Sequence, residues 1–287
     1  MEQKAYLYLN NADPNVKINI KDVSGYLTRE ELEHYNNMVQ GCLDNTMRGD
    51  IQACCTQMKE YVSNIRISRI CKSGWDGYQN ELYKATDVAT WSDKQSLVIE
   101  MVRSVKPKTL LDLAGNMGWY EFTLCDEVGQ CIVADLDYSC VDFVYQTVVQ
   151  RKIENVYPVY LNLVTPTPAY YKDTPIEDTA IIPWRESALK RFKSEMVLAL
   201  AIIHHLAFSQ QLSFEEIIGQ FALYTSKWLI IEFMEREDSV VLPALNNPDF
   251  DWYTQDNFER VLKTQFRILS SEHSEPTRIL YLCEKTG

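Results

Sequence analysis

From residue 94 onward, short apolar segments alternate with longer segments of helical periodicity. We predict strands at residues 109–113, 131–135, 156–161, 196–201, 228–233, 266–271 and 278–283. We predict helices at residues 94–105, 119–128, 140–151, 213–225 and 254–263. Because a helix supplies the crossover that parallel strands require, this alternation predicts an α/β fold with helices on both faces of a mostly parallel sheet.

The last two predicted strands are too close in sequence for a crossover helix and are expected to pair antiparallel. The prediction is therefore a Rossmann-like sheet of seven strands that ends in one antiparallel hairpin. The preceding residues have a short apolar segment at 5–9 and helix-like segments at 28–43 and 50–62. We predict an N-terminal, mainly helical cap or lid region over 1–93 and a Rossmann-like domain over 94–287.

A glycine-containing loop follows the first predicted strand, in the sequence Asp112-Leu113-Ala114-Gly115-Asn116-Met117-Gly118. Small residues let the backbone approach a ligand, and the start of the next helix offers unpaired N–H groups to a carboxylate or phosphate. No glycine stands two positions before Gly115, so the loop departs from the G-x-G-x-x-G fingerprint of dinucleotide sites. The spacing therefore disfavours NAD.

Two acidic residues follow the second predicted strand. Asp135 stands at the carboxyl end of that strand, where a carboxylate beside the glycine loop can accept both hydroxyl hydrogens of a ribose. Asp137 is in the right place to cap the next helix. We therefore predict that Asp135 binds ligand and that Asp137 is structural.

Further motifs accompany the loop, namely Leu163-x-x-Pro166-Thr167-Pro168, Ala201-Ile202-Ile203-His204-His205-Leu206 and Ile231-Glu232-Phe233. In order and spacing, residues 94–285 resemble the class I S-adenosylmethionine-dependent methyltransferases, whose first motif reads acidic-x-Gly-x-Gly-x-Gly. More narrowly, the chain looks like a subgroup of that family related to nodulation proteins. The resemblance implies the seven-strand arrangement and S-adenosyl-L-methionine as cofactor.

The resemblance also implies a cofactor-binding set. Around the methionine part it places Asp112, Gly115, Asn116 and Gly118. It implies that Asp135 binds the ribose. Asn162 stands where the family usually has an aspartate that contacts adenine, and an amide oxygen can also accept from the adenine amino group. The other cofactor candidates are Ala114, Trp119, Leu136, Leu163 and Tyr78, although the rings of Trp119 and Tyr78 can instead pack in the core. Alanine and asparagine replace the first two motif glycines, and alanine is unfavourable wherever φ must be positive.

Three residues near the ends of the fourth and fifth predicted strands are candidates for catalysis. His204 or His205 can act as a general base, or both can simply begin a helix that packs against the sheet. Glu232 can position or deprotonate an acceptor or bind a cationic one, or it can be a solvated strand end. The acids that follow are expected to lie in a solvated loop: Glu235, Glu237 and Asp238.

Charge and composition exclude several classes of partner. The formal net charge of -12 disfavours nucleic acid and anionic membrane surfaces. No apolar segment approaches the length of a membrane-spanning helix, and the first residues lack the apolar centre of a signal peptide, so we expect a cytoplasmic protein. The histidines and cysteines lack the spacing of a metal site, and no metal is expected.

We therefore predict methyl transfer from S-adenosylmethionine to a small-molecule or carrier-bound metabolite, with oxygen as the acceptor atom. Two alternatives remain open at this point. One is a catalytically silent Rossmann-like domain that binds or acts as a scaffold, and the other is a nicotinamide-dependent oxidoreductase. The sequence leaves the acceptor and the oligomeric state open.

Overall fold

The structure, a computed structural model, describes residues 88–168 and 186–286, together with Asn37, Gln52, Ala53, Cys55 and Thr56. The chain divides into two compact units, Met1–Cys71 and Lys72–Gly287, and both long described segments belong to the second. The predicted segments at 5–9, 28–43 and 50–62, apart from those isolated positions, and Tyr78 lie outside the described residues. The boundary predicted after residue 93 stays a prediction.

Within the described residues, seven strands form one sheet. They are β1 (Thr109–Leu113), β2 (Gln130–Asp135), β3 (Val156–Tyr160), β4 (Ser194–Ala199), β5 (Thr225–Met234), β6 (Phe266–Glu275) and β7 (Arg278–Lys285). Their order is β3-β2-β1-β4-β5-β7-β6, and β7 alone of these seven runs antiparallel to its two neighbours. The predicted fold class, a mostly parallel seven-stranded sheet with a terminal antiparallel hairpin, is confirmed.

Six α-helices flank this sheet in the described part of the chain. They are α1 (Asp93–Val105), α2 (Trp119–Leu124), α3 (Tyr138–Arg151), α4 (Ala188–Arg191), α5 (Phe214–Tyr224) and α6 (Gln255–Leu262). Side-chain capping fixes where several begin: Ser92 forms a capping box with Gln95, and Asp137 accepts the Ser139 N–H at the start of α3. The predicted structural role of Asp137 is confirmed.

Helix α2 is shorter than predicted. It ends at Leu124, whereas the sequence pattern continues to residue 128. The side-chain amide of Asn155 donates to the carbonyl oxygens of Cys125 and Val128, at 2.7 and 2.9 Å. These bonds satisfy carbonyls that a continuing helix would have used, so the chain turns here towards β2.

The sheet is buried on both faces. Leu111 and Val197 belong to one apolar cluster, and Leu110 and Leu198 belong to the other. Successive residues of a strand point to opposite faces, so central strands covered on both sides consist almost entirely of apolar residues. None of the helices in the described residues is long and apolar enough to cross a membrane.

Candidate functional site

A cavity of about 760 Å³ lies at the carboxyl edge of the parallel strands. Most of the predicted site residues line it: Asp112, Ala114, Asn116, Trp119, Asp135, Leu136, Asn162, Leu163, His204 and His205. The structure brings these residues together from segments that follow β1, β2, β3 and β4. Gly115, Gly118 and Glu232 do not line the cavity, and Tyr78 lies outside the described residues. The cofactor-binding and catalytic roles assigned to all of the predicted site residues stay predictions.

The loop after β1 has left-handed backbone at three positions. The φ angles are 74° at Ala114, 49° at Asn116 and 72° at Gly118. The N–H groups of Ala114 and Gly115 both donate to the carbonyl oxygen of Ala134 in β2, at 2.8 and 3.1 Å. The alanine that replaces the first motif glycine therefore occupies a conformation that is unfavourable for a residue with a Cβ atom.

The two glycines of the loop serve close packing. A Cβ atom added to Gly115 would lie 2.8 Å from Cγ1 of Val133, and one added to Gly118 would lie 3.3 Å from Cγ2 of the same valine. The absence of side chains here lets the loop lie directly on β2. These glycines therefore shape the cavity without lining it.

Asp135 joins the ends of β1 and β2. One oxygen of its carboxylate accepts the N–H of Asn116 at 2.9 Å, and the other accepts the N–H of Asp137 at 2.8 Å. Burial raises the pKa of Asp135, and these backbone hydrogen bonds oppose the rise. Each carboxylate oxygen can accept a further hydrogen bond, so Asp135 can still bind hydroxyl groups in the cavity.

Asp112 and Glu121 form a buried pair of acids under the loop. Their residue exposures are 2% and 0%, and only Asp112 lines the cavity. Burial raises the pKa of Asp112 to about 7, and burial together with the nearby Asp112 raises that of Glu121 well above its usual range. The oxygens of Glu121 lack a partner of ordinary hydrogen-bond geometry, but the two carboxyls lie close enough to share a proton. Glu121 is therefore the protonated member, and Asp112 is the one that ionises near neutral pH.

Gln95 adds a donor that the sequence analysis missed. Its Oε1 accepts the N–H of Ser92 at 2.8 Å in the capping box of α1. The residue is 2% exposed, lines the cavity, and its Nε2 has no hydrogen-bond partner in the structure. A buried amide without a partner is costly, so a ligand that accepts from Gln95 would be stabilised.

Asn162 follows β3 and forms a local turn. Its Oδ1 accepts the N–H groups of Val164 and Thr165, at 2.9 and 3.1 Å. Two donors therefore already occupy the oxygen to which the adenine contact was assigned. The NH₂ group of Asn162 makes no hydrogen bond to the described residues, and it can donate to a ring nitrogen of a nucleobase.

Glu232 is buried and ion-paired. It is 1% exposed, and its Oε2 lies 2.7 Å from Nζ of Lys94. The same oxygen accepts the N–H of Ala201 at 2.8 Å, where the chain leaves β4 with a φ of 51°. The solvated strand end considered from the sequence is therefore wrong for Glu232. Its position supports the cavity wall through Lys94 and Ala201, both of which line the cavity.

The two histidines lie side by side after β4. Their ring centroids are 4.0 Å apart, and His205 begins a short π-helical turn over His205–Ser209. Burial, and then the neighbouring His205, lowers the pKa of His204 to about 4; burial also lowers that of His205. His204 is 6% exposed and its Nδ1 has no partner. At neutral pH it is an uncharged imidazole that can accept a proton or a hydrogen bond.

The expectation of a solvated loop is wrong for Asp238, which is only 3% exposed. Its Oδ2 accepts from Thr277 Oγ1 at 2.9 Å and from Nε of Arg278 at 2.8 Å, and Oδ1 accepts the Val240 N–H at 2.9 Å. Burial opposes ionisation, but these hydrogen bonds outweigh it and lower the pKa of Asp238. Its partner Arg278 lines the cavity and was not singled out from the sequence.

Two of the site residues that were missed carry a signal in the sequence, and a third does not. A lysine in the first turn of a helix opposes the helix dipole, so Lys94 could have indicated a buried acidic partner. Glu121 stands among Trp119, Tyr120 and Phe122, and an acid in such surroundings could have indicated a perturbed carboxyl. Arg278 gave no such signal, because an arginine at the start of a strand is ordinary.

Comparisons with known proteins agree with the resemblance to nodulation proteins. Over 245 residues the chain is 28% identical to nodulation protein NoeA of Rhizobium meliloti (strain 1021). The match covers 82% of this chain and 48% of that protein, so the chain spans about half of the length of this relative. No family model matches the chain.

Three similar solved structures are those of methyltransferases. A SAM-dependent methyltransferase from Aquifex aeolicus is 13% identical, with a TM-score of 0.49 and coverage of 75% of this chain and 100% of that one. An S-adenosylmethionine-dependent methyltransferase from Clostridium acetobutylicum is 13% identical, with a TM-score of 0.49 and coverage of 74% and 99%. The N-methyltransferase NodS from Bradyrhizobium japonicum is 7% identical, with a TM-score of 0.47 and coverage of 73% and 99%. Because these TM-scores lie below 0.5, the likeness carries no argument about function.

Proposed function

We propose that the chain is an S-adenosylmethionine-dependent methyltransferase that acts on a small-molecule or carrier-bound metabolite, with oxygen as the acceptor atom. The observation that carries the proposal is the presence of a carboxylate and an unpartnered amide donor in one cavity. Asp112 offers a carboxylate that ionises near neutral pH, and the buried Gln95 offers an unpartnered amide donor. An amino-acid group needs both kinds of partner, one for its ammonium and one for its carboxylate.

The acidic surroundings of the loop favour a sulfonium cofactor over a dinucleotide. Asp112 and Asp135 lie beside the loop as carboxylates, and the helix that follows it has only six residues. A pyrophosphate placed here would meet negative charge, whereas a ligand with ammonium and sulfonium groups would be stabilised by it. The carboxylate of Asp135 can bind the ribose hydroxyls of either ligand, so Asp112 is the residue that discriminates.

Different residues of the cavity can bind the cofactor, accept a proton and support the neighbouring turn. Asp112, Gln95 and Asp135 would hold S-adenosylmethionine, whose chemical contribution is a methyl group on a positively charged sulfur. The work of the protein is then mainly to align that methyl group with an acceptor and to exclude water. His204 is neutral at pH 7 and can accept the hydrogen of an acceptor hydroxyl, and the buried pair of Glu232 and Lys94 holds the neighbouring turn in place.

Ligand-dependent thermal stabilisation tests the proposal. S-adenosylhomocysteine and S-adenosylmethionine should raise the melting temperature of the full chain, because a ligand that binds only the folded state stabilises it; NAD should not. Asp135→Ala should abolish the response, whereas the matched change of an exposed aspartate of α3, Asp142→Ala, should preserve it. A response to NAD alone would contradict the proposal. Binding of the adenosyl ligands without methyl transfer to any acceptor would favour the silent binding domain.

A further inference from the structure

Arg278 presents an incompletely used guanidinium group to the cavity. Its Nε donates to Oδ2 of Asp238 at 2.8 Å and lies 3.4 Å from Oε2 of Glu275. The two terminal amino groups of Arg278 make no hydrogen bond to the described residues. The side chain is 16% exposed, and its terminal amino groups remain accessible to solvent or to a ligand in the cavity. An arginine in this state offers a two-pronged donor to a ligand.

The buried carboxylate of Asp238 fixes the orientation of this guanidinium group. Asp238 is 3% exposed, and a backbone N–H, a hydroxyl and Nε of Arg278 together hold its carboxylate. These contacts use the inner edge of the guanidinium and leave its terminal nitrogens unused. Asp238 therefore acts as a positioning residue for Arg278.

Arg278 lies far across the sheet from the residue assigned to the ribose. Asp135 ends β2, and Arg278 begins β7, opposite Met234 of β5. The strand order places four interstrand steps between β2 and β7, which at about 4.8 Å each is roughly 19 Å. A cofactor whose ribose is held by Asp135 leaves the β5–β7 side of the cavity for the second substrate.

The wall between the histidines and Arg278 is largely apolar. Leu200, Leu206, Met234 and Val240 line the cavity on this side. The positive charge of Arg278 is one of the causes that lower the pKa of His204, so the two side chains are close enough to interact electrostatically. A matching ligand has an apolar body, an anionic end at Arg278 and a reactive group near His204.

We propose that Arg278 binds a carboxylate of the methyl acceptor, so that the acceptor is a small carboxylic acid with an apolar body. A carboxylate fits better than a phosphate, because Asp238 and Glu275 already place two acids beside the guanidinium and a dianion would meet more repulsion. The identification of this ligand as the acceptor rests on the proposed function. The carboxylate contact itself does not.

The test compares three probes that share a phenyl ring and differ in their polar group, on the full chain saturated with S-adenosylhomocysteine. Benzoate, benzyl alcohol and phenyl phosphate are titrated by ligand-observed NMR against the wild type, Arg278→Gln and Arg278→Lys. Arg267→Gln is the matched control, because Arg267 lies exposed at the other end of the β6–β7 hairpin and pairs with Glu284. The wild type and the control should bind benzoate about tenfold more tightly than benzyl alcohol, and more tightly than phenyl phosphate.

Loss of the arginine should remove this preference. Arg278→Gln should bind benzoate and benzyl alcohol equally, and Arg278→Lys should lose most of the preference because an ammonium cannot make the two-pronged contact. Equal benzoate affinity in the wild type and both variants, or no benzoate binding to the wild type, would overturn the inference. A preference for phenyl phosphate would overturn the choice of carboxylate.

The affinity for S-adenosylhomocysteine, measured in the same samples, separates this inference from the proposed function. It should be unchanged in both Arg278 variants, which also verifies that they fold. Arginine-dependent benzoate binding in a chain that does not bind the adenosyl ligand would contradict the proposed function and leave the carboxylate contact standing. Binding of the adenosyl ligand without arginine-dependent binding of benzoate would contradict the carboxylate contact alone.

Discussion

Oε2 of Glu232 accepts from Nζ of Lys94 at 2.7 Å and from the N–H of Ala201 at 2.8 Å. One buried oxygen thus joins the first turn of α1, the end of β5 and the turn after β4. All three elements contribute to the wall of the cavity or to its support. Glu232 therefore links helix α1 with the segment that carries the histidines.

Removal of this carboxylate should be strongly destabilising. Glu232→Ala leaves a mostly buried ammonium and a backbone N–H without their acceptor, and we expect a loss of about 3 kcal/mol in the free energy of unfolding. Urea denaturation measures it. The exposed ion pair of Glu215 with Arg260 provides the control, and Glu215→Ala should cost less than about 1 kcal/mol. Equal losses in the two variants would contradict the supporting role of Glu232.

Glycine at position 114 should stabilise the protein. Ala114 has a φ of 74°, which costs a residue with a Cβ about 1–2 kcal/mol, and the greater chain entropy of glycine offsets about half of the gain. We expect Ala114→Gly to raise the free energy of unfolding by about 0.5–1 kcal/mol. The same substitution at Ala222, in α5, should lower it by about 1 kcal/mol or more. Destabilisation by both changes would show that the loop does not require this backbone conformation.

Binding of S-adenosylhomocysteine should weaken as the pH falls below 7. The pKa of Asp112 is about 7, and the ammonium of the ligand favours the ionised form. The affinity should be constant above that pH and then fall by up to about tenfold per pH unit, until the lower pKa of the bound state is reached. Calorimetric titrations from pH 8 to 5.5 measure this. Asp112→Asn should bind weakly at every pH, whereas the exposed Asp126→Asn should follow the wild type.

Asp112 has the opposite effect on the unliganded fold. Its pKa is raised from 3.8 to about 7 on folding, so between these values the folded state binds more protons than the unfolded state. The contribution of Asp112 to stability therefore decreases as the pH rises through this window. As the pH falls, Asp112 should therefore weaken ligand binding but contribute more to the stability of the unliganded fold. An affinity for S-adenosylhomocysteine that does not change with pH would contradict the proposed ammonium contact.

His204 should destabilise the fold in mild acid. Its pKa is lowered from 6.5 to about 4, so the unfolded state takes up a proton between these values and the folded state does not. This residue alone should cost about 2 kcal/mol of stability between pH 7 and pH 5. Urea titrations at the two pH values measure it: His204→Asn should lack the loss, whereas His273→Asn, at an exposed site on β6, should retain it. If His204→Asn loses the same amount of stability between pH 7 and pH 5, the imidazole of His204 does not cause the loss. The side chain would then be exposed to water in the wild type.

The fold was predictable from local patterns, because each central strand is buried on both faces and each helix buries one face. The same alternation places Asp112, Asp135 and His204 at the ends of strands, and parallel strands bring those ends to one edge. The sequence could not give the pairing of Glu232 with Lys94 or the burial of Asp238. Those contacts join residues distant in the chain, and they depend on how β5 and β7 meet. Likewise, the φ of Ala114 follows from close packing on β2 and not from its own preference.

The reversed direction of β7 separates the two sides of the cavity along the chain. Because β7 enters the sheet at the ligand edge, the short turn after β6 delivers Arg278 directly to the cavity. The parallel half that surrounds Asp112 and Asp135 is encoded earlier in the chain and shares no loop with this turn. Changes at the hairpin can therefore alter the Arg278 side of the cavity while the segments that carry Asp112 and Asp135 stay as they are.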